Sequence, residues 1–184
     1  MPITINGNGT VSGLTTAPNL TSSGLITGKI LQVVSTTKTD TFSEQVATGN
    51  FSADAISISI TPSNASNKIF ITTNLNIGCQ GVSEVKFQIY KAGSVITGAI
   101  GDASGTNTRV TSMSDEIDGT GQQTNLSGQF LDTAGGTSSI TYSIRLGHGN
   151  SSTKFIYLNR SHSNTSGTAD SRATSTITVM EIAA

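Results

Sequence analysis

A chain of 184 residues carries 11% charged residues, a net charge of −1, 5% aromatics and no tryptophan. Its ten Lys and Arg are scattered, which argues against the basic patch that nucleic-acid binding needs. No stretch approaches the ~20 apolar residues of a membrane span, and low charge with plentiful Ile, Val and Thr argues against a disordered tail.

Residues 1–28 (MPITINGNGTVSGLTTAPNLTSSGLITG) place turn formers at Gly7, Gly9, Gly13, Pro18 and Gly24. The apolar Ile3, Ile5, Val11, Leu14 and Leu20 are spaced too widely for an amphipathic helix. The segment reads as an extended arm that anchors on another chain through these residues, by adding a strand to an exposed edge. A flexible leader is the alternative. No basic segment followed by an apolar run opens the chain, so no signal peptide is expected.

From Lys29 onward the chain reads as short strands over 29–36, 55–61, 68–78, 83–91, 94–100, 108–114, 124–132, 139–147, 153–160 and 173–182. Several alternate: Ile56, Ile58 and Ile60; Val85, Phe87 and Ile89; Ile140, Tyr142, Ile144 and Leu146. Alternation gives one dry and one wet face, the antiparallel pattern. No 3.6-residue period appears, so the expectation is an all-β antiparallel sandwich or jelly roll over 29–184. Its core is expected to be thin and built from Ile, Val and Leu, with subunit contacts supplying part of the stability.

Pro62 to Asn67 should make a corner, Lys91–Ser94 a tight hairpin and Thr133–Thr137 another. The longer loops are 37–54, 101–107, 115–123 and 161–172, and loops on a rigid sandwich are where recognition is expected.

Little in the sequence points to catalysis. His148 and His162 read as exposed loop histidines, without the clustered ligands that zinc needs. Asp115, Glu116 and Asp118 read as a solvated acidic loop; they miss the EF-hand register, and a glycosidase pair is the remote alternative. The lone Cys79 reads as a small buried hydrophobe. No nucleophile elbow or P-loop appears. No enzyme activity, metal or cofactor is expected, and Asn107, Asp115, Glu116, Asp118, His148 and His162 are the outer-loop candidates for contacting a receptor.

The phrases GKILQVVSTTKTDTFS (28–43), ISITPSNASNKIFI (58–71), GDASGTNTRVTS (101–112), FLDTAGGTSSITYSIRL (130–146), YLNRS (157–161) and RATSTITVMEIAA (172–184) resemble the C-terminal domain of fibre and other virion proteins of tailed bacteriophages, particularly marine ones. That family is similar to the C1q/TNF-like jelly roll, which assembles as a trimer with its first and last strands side by side. The resemblance implies pairing of 29–36 with 173–182, a homotrimer, and residues 1–28 docked on another virion protein of tail or capsid. It also implies a virion location and outer loops facing a host receptor or glycan. The readings that follow are a short fibre or knob for host attachment, a capsid decoration protein, or a soluble lectin.

Overall fold

The computed structural model describes residues 28–184 except 120 and 167–169, so the anchoring arm with Ile3, Ile5, Val11, Leu14 and Leu20 lies outside the described residues. The strands are β1 (Ile30–Lys38), β2 (Phe42–Val46), β3 (Ile56–Ile60), β4 (Lys68–Cys79), β5 (Ser83–Lys91), β6 (Ser94–Val95), β7 (Ser112–Ile117), β8 (Thr124–Thr133), β9 (Ile140–His148), β10 (Lys154–Leu158) and β11 (Ser175–Ile182). A single 3₁₀ turn, Thr97–Ala99, is the helical element among the described residues.

Every strand pairing is antiparallel, and the strands form two sheets. In the first, β1 lies on β11, β11 on β4, and β8 on the other edge of β4; β10 continues the β11 edge and carries β2. In the second, β3 lies on β9 and β9 on β5, while β6 and β7 share the far edge of β5. Taking the strands in chain order without β2, β6 and β10, the sheets run first–eighth–third–sixth and second–seventh–fourth–fifth. That is the order of a jelly roll, two interlocked Greek keys.

The expected pairing of the first and last strands is present, with Val33 opposite Met180 and Thr36 opposite Ile177.

Parity explains the core. Ile56, Ile58 and Ile60 of β3 and Ile69, Ile71, Leu75 and Ile77 of β4 point into the sandwich from opposite sheets, and all are buried. The corner 61–67 therefore crosses between sheets, with Pro62 buried within it. Phe87 and Tyr142 join the aliphatic core and are among its largest fully buried side chains. The space for Phe87 is left by Gly128 of the opposite sheet: a Cβ there would sit 2.7 Å from the Phe87 Cζ. Small-against-large complementarity of this kind fills a core to native density.

Several expectations are corrected. The loop expected over 37–54 contains β2, which pairs with β10. The strand expected over 94–100 ends at Val95, and Thr97–Ala99 turns as 3₁₀. The strand expected over 108–114 begins at Ser112 and runs to Ile117, so Asp115 and Glu116 stand on a strand rather than in a loop. Thr133–Thr137 is no hairpin: β8 and β9 belong to different sheets, and the segment bridges them. Lys91–Ser94 is the tight hairpin expected, with Ala92 and Gly93 at φ of 48° and 81°, the paired left-handed residues of a two-residue turn.

Candidate functional site

The two ends of the sandwich are chemically different. The Gly28 amide donates to the Ala183 carbonyl at 2.9 Å, and the Ala183 amide to the Lys29 carbonyl at 2.9 Å, which places both ends of the folded unit together. The corner 61–67 and the bridge after Thr133 join them there, through the Gly135 amide on the Ala65 carbonyl and the Ala134 amide on the Asn67 carbonyl, both at 2.9 Å.

A buried carboxylate locks this end. Glu181 faces inward from the last strand and is 1% exposed. It accepts from Gln32 Nε2 (2.6 Å), the Ser63 amide (2.7 Å), Ser63 Oγ (2.8 Å) and Asn67 Nδ2 (2.6 Å). Burial pushes its pKa up, and the donors from Asn67, Gln32 and Ser63 together overcome that, bringing it from an ordinary 4.5 to about 2.

The opposite end gathers the connections. Asn159 is wholly buried with φ of 65°. Its Nδ2 donates to the Lys38 and Asp40 carbonyls at 2.8 and 2.9 Å, and its Oδ1 accepts from Ser175 Oγ at 2.6 Å. The segment after it is organised by Asp170, which accepts from Ser161 Oγ, Ser163 Oγ and both the amide and hydroxyl of Thr165. These bonds, that of Ser163 foremost, hold the Asp170 carboxyl well below the usual carboxylate range. Gln123 Nε2 donates to the Ser171 carbonyl at 2.8 Å and ties the entry to β8 to the same segment.

The structure divides the receptor candidates. His148 is corrected from loop to core: it ends β9, is 1% exposed, and its Nε2 lies 2.9 Å from the Val46 carbonyl. It shares the inward parity of Tyr142, Ile144 and Leu146, and its ring cannot meet a receptor. His162 is also no free loop histidine. Its Nδ1 lies 2.8 Å from the Tyr157 hydroxyl, and the two rings stack with centroids 5.7 Å apart.

Sequence reasoning missed the cluster to which His162 belongs. The Arg160 guanidinium lies 4.2 Å from the Tyr157 ring centroid, and Phe155 stacks on Tyr157 at 6.2 Å. Asp115, Glu116 and Asp118 are exposed. Asp115 caps the Glu116 amide at 2.9 Å, and the Asp118 amide donates to Gln122 Oε1 at 3.3 Å. Among the described residues no three His, Cys, Asp or Glu side chains are grouped as metal ligands.

Asn107 is exposed and is drawn into a cleft of about 340 Å³ on the outer face of the second sheet, with Glu84, Lys86, Thr108, Val110, Met113 and Gly149. The segment before β7 is held over that face by Gln88 Nε2 donating to the Arg109 carbonyl at 2.7 Å and by the Thr111 amide on the Phe87 carbonyl at 2.9 Å. Glu116 stands opposite Glu84 in register, next to the cleft. Asn107 is therefore brought near Glu116 of the acidic run, while His162 lies just after β10, against Tyr157 of the first sheet.

No family model and no curated protein matches the chain. Among solved structures, the 2.6 Å T=1 particles derived from infectious bursal virus align at a TM-score of 0.42 and 14% identity, over 83% of this chain and 36% of that one. A D431N mutant of the VP2 protein of infectious bursal disease virus aligns at 0.42 and 15% identity, with the same coverage. The CBM22-1 xylan-binding domain of Paenibacillus barcinonensis Xyn10C aligns at 0.30 and 10% identity, over 88% and 99%. The chain spans about a third of the length of the viral proteins it aligns with. These are loose likenesses at low identity and assign no activity or partner. No helix among the described residues is long and apolar enough to cross a membrane.

Proposed function

We propose that the chain is a non-enzymatic structural protein of a tailed-phage virion. It forms a short trimeric knob, anchored by residues 1–28 and presenting the loops opposite the termini for host attachment. The observation that carries the assembly is the outer face of the first sheet. In register across four strands, Val33, Met180, Phe70 and Leu131 form one apolar row. Ile30 and Leu31 extend it at the terminal end, where Ile182 opposes Ile30. Val33 is 56% exposed and Leu131 51% exposed. The next rows on the same face, Ser35–Thr178–Thr72–Gln129 and Thr37–Thr176–Asn74–Ser127, are polar.

A contiguous apolar patch rimmed by polar residues supports an interface, and closed symmetry buries such a patch without leaving a growing edge. The patch lies beside the point where residues 1–28 meet the folded unit, so an anchor and a subunit seam would share one end. The loops would then face away from the particle.

Light scattering tests the assembly, with three times 18.9 kDa expected; a monomer at working concentration would sink it. Cryo-EM of the particle tests the location. Density on the tail is expected, and density on the shell would replace the fibre reading with a capsid knob.

A further inference from the structure

The chain leaving β10 builds a cationic, aromatic corner on the outer face of the first sheet. Phe155 and Tyr157 alternate with the buried Ile156 and Leu158, so both point outward, and Gln45 and Ser43 of β2 stand beside them in register. Asn159 turns the chain through its left-handed φ, and the Arg160–Ser161 backbone then lies over Gly78, where only a glycine leaves room. This lays the Arg160 guanidinium on one face of the Tyr157 ring. His162 closes the other side, with Nδ1 on the Tyr157 hydroxyl. In the tautomer in which that hydroxyl donates to Nδ1, the ring proton sits on Nε2, a donor facing away from Tyr157.

The charge of this corner is not balanced within the protein. The three salt bridges among the described residues join Lys38 to Asp40, Lys91 to Asp132 and Arg145 to Asp54, and none reaches Arg160, Arg172 or Lys154. The Ala173 amide donates to the Asn159 carbonyl at 3.2 Å, which sets the exposed Arg172 on the stretch of chain beside Arg160. The acidic side chains of the neighbourhood are turned elsewhere. Glu44 shares the inward side of β2 with Ile156 and accepts from the Ala53 amide at 2.8 Å. Asp170 is held by Ser161, Ser163 and Thr165, and no cation contributes to its lowered pKa.

Arg160 Nε is buried and has no hydrogen-bond partner among the described residues. The Tyr157 ring attracts the face of the guanidinium, but a ring face accepts none of its in-plane N–H groups, which form the fork that suits an oxyanion. A residue kept only to cover Tyr157 would be better apolar. Here the stack fixes the plane of the fork and leaves its outer edge for a ligand. Phe155, 38% exposed, adds an open aromatic surface next to it. At ~3.3 Å per residue, Gly78 lies ~26 Å along β4 from Phe70, so the corner is clear of the apolar row and sits toward the end away from the termini.

We infer that this corner binds a phosphorylated saccharide. The outer edge of the Arg160 fork and the His162 Nε2–H hold the phosphate oxygens, and Arg172 adds charge at the rim. The C–H face of the sugar ring rests on Phe155, whose ring face carries the complementary partial charge. Gln45, exposed beside Phe155, offers its amide to the ring hydroxyls. Three separate cationic or donor groups match the three oxygens of a phosphate monoester better than the two of a carboxylate. The inference rests on the attachment reading above and names the chemical class of its ligand.

The test is an amide-resonance titration of the full-length protein with glucose 6-phosphate, glucose and inorganic phosphate, each separately. Glucose 6-phosphate is expected to shift the amides of Phe155, Tyr157, Arg160 and His162. Glucose should bind ~10-fold or more weakly, the loss expected for one charge-assisted hydrogen bond. Inorganic phosphate should shift Arg160 and His162 without Phe155. Arg160→Met keeps an unbranched cover over Tyr157 and removes the fork; it is expected to abolish the preference for glucose 6-phosphate over glucose. Phe155→Ala, at an exposed site, should leave the thermal midpoint unchanged and bring glucose 6-phosphate down to the affinity of inorganic phosphate. Arg172→Met weakens both phosphates without touching Tyr157, and decides the charge arm if Arg160→Met does not fold. Equal binding of glucose and glucose 6-phosphate, shifts confined to other residues, or unchanged affinities in the folded variants would each overturn the inference.

A glycan array that includes phosphorylated glycans separates the two readings. Array binding that survives Phe155→Ala and Arg172→Met removes the corner and leaves attachment standing. Glucose 6-phosphate shifts in the corner without binding to any arrayed glycan support the corner and remove attachment to glycans.

Discussion

Replacing Glu181 by Gln is the most informative perturbation of the frame. The carboxylate accepts four hydrogen bonds from Gln32, Ser63 and Asn67 at 2.6 to 2.8 Å, all from neutral donors, in a place that is 1% exposed. A glutamine of the same shape turns two of its acceptor positions into N–H donors, which then confront the Asn67 or Gln32 amides. Protonating Glu181 does nearly the same thing, so the shift from 4.5 to about 2 sets the scale. At ~1.4 kcal/mol per pKa unit that is about 3 kcal/mol. For a domain of this size it corresponds to a fall of about 6–12 °C in the unfolding midpoint.

Because the folded pKa is depressed, the stabilisation is fully present above pH 4.5 and is lost as the pH falls toward 2. Urea unfolding of both proteins at fixed protein concentration, from neutral pH down to about pH 2, is the assay. The difference between wild type and Glu181→Gln should be about 3 kcal/mol at neutral pH and should close across that window. A difference that persists unchanged at the acid end, or that is absent at neutral pH, would refute the argument that the ionised carboxylate fastens the corner to the last strand.

Three further substitutions probe other joints. Gly78→Ala puts a Cβ 2.4 Å from the Arg160 carbonyl oxygen, so chemical denaturation should show a loss of about 1–3 kcal/mol or more, since backbone must move. Gly128→Ala collides with Phe87 and should cost a similar ~1–3 kcal/mol; combined with Phe87→Leu it should cost less than the sum of the two single changes, and strict additivity would deny that they share one space. Asn159→Asp sets a carboxylate against the Lys38 and Asp40 carbonyls in place of a donor and should destabilise by about 3 kcal/mol, read as a lowered thermal midpoint. On the outer face, Val33→Glu with Leu131→Glu should convert the expected trimer to a folded monomer in light scattering; retention of the trimer would move the interface elsewhere.

Alternation made the inward side legible wherever it ran for three positions or more, as at Ile56, Ile58 and Ile60, because a strand reports its own two faces. The pairing of the first and last strands came from a resemblance between phrases, since nothing in either strand names its partner. β2 escaped because Phe42 and Val46 are its only apolar residues and Ser, Glu and Gln fill the rest. His148 was misplaced because its flanking glycines suggest a turn, although its parity with Ile144 and Leu146 already pointed inward. The Tyr157–Arg160–His162 cluster has no periodic signal, because Asn159 turns the chain through a left-handed residue just after β10. Lys86 gave no signal either: its parity points outward, and its burial comes from the segment 107–110, brought over it by hydrogen bonds to Gln88 and Phe87.

The surfaces with a claim to function share that non-local origin. Phe70 and Leu131 sit among polar outward neighbours on their own strands, and Val33 and Met180 have one apolar outward neighbour each, Leu31 and Ile182, a sparse pattern that is unremarkable on any one strand. They become a patch only when β1, β11, β4 and β8 lie side by side in this register. A one-residue slip of β8 would send Leu131 inward and leave Gly128 unable to make room for Phe87, so the register that packs the core also assembles the outer row. The same holds on the other sheet, where the bulge between Glu84 and Lys86 in the pairing with β7 brings Met113 opposite Lys86 and Glu116 opposite Glu84. In this jelly roll the interior is a property of individual strands, while the faces offered to subunits and ligands are properties of their order.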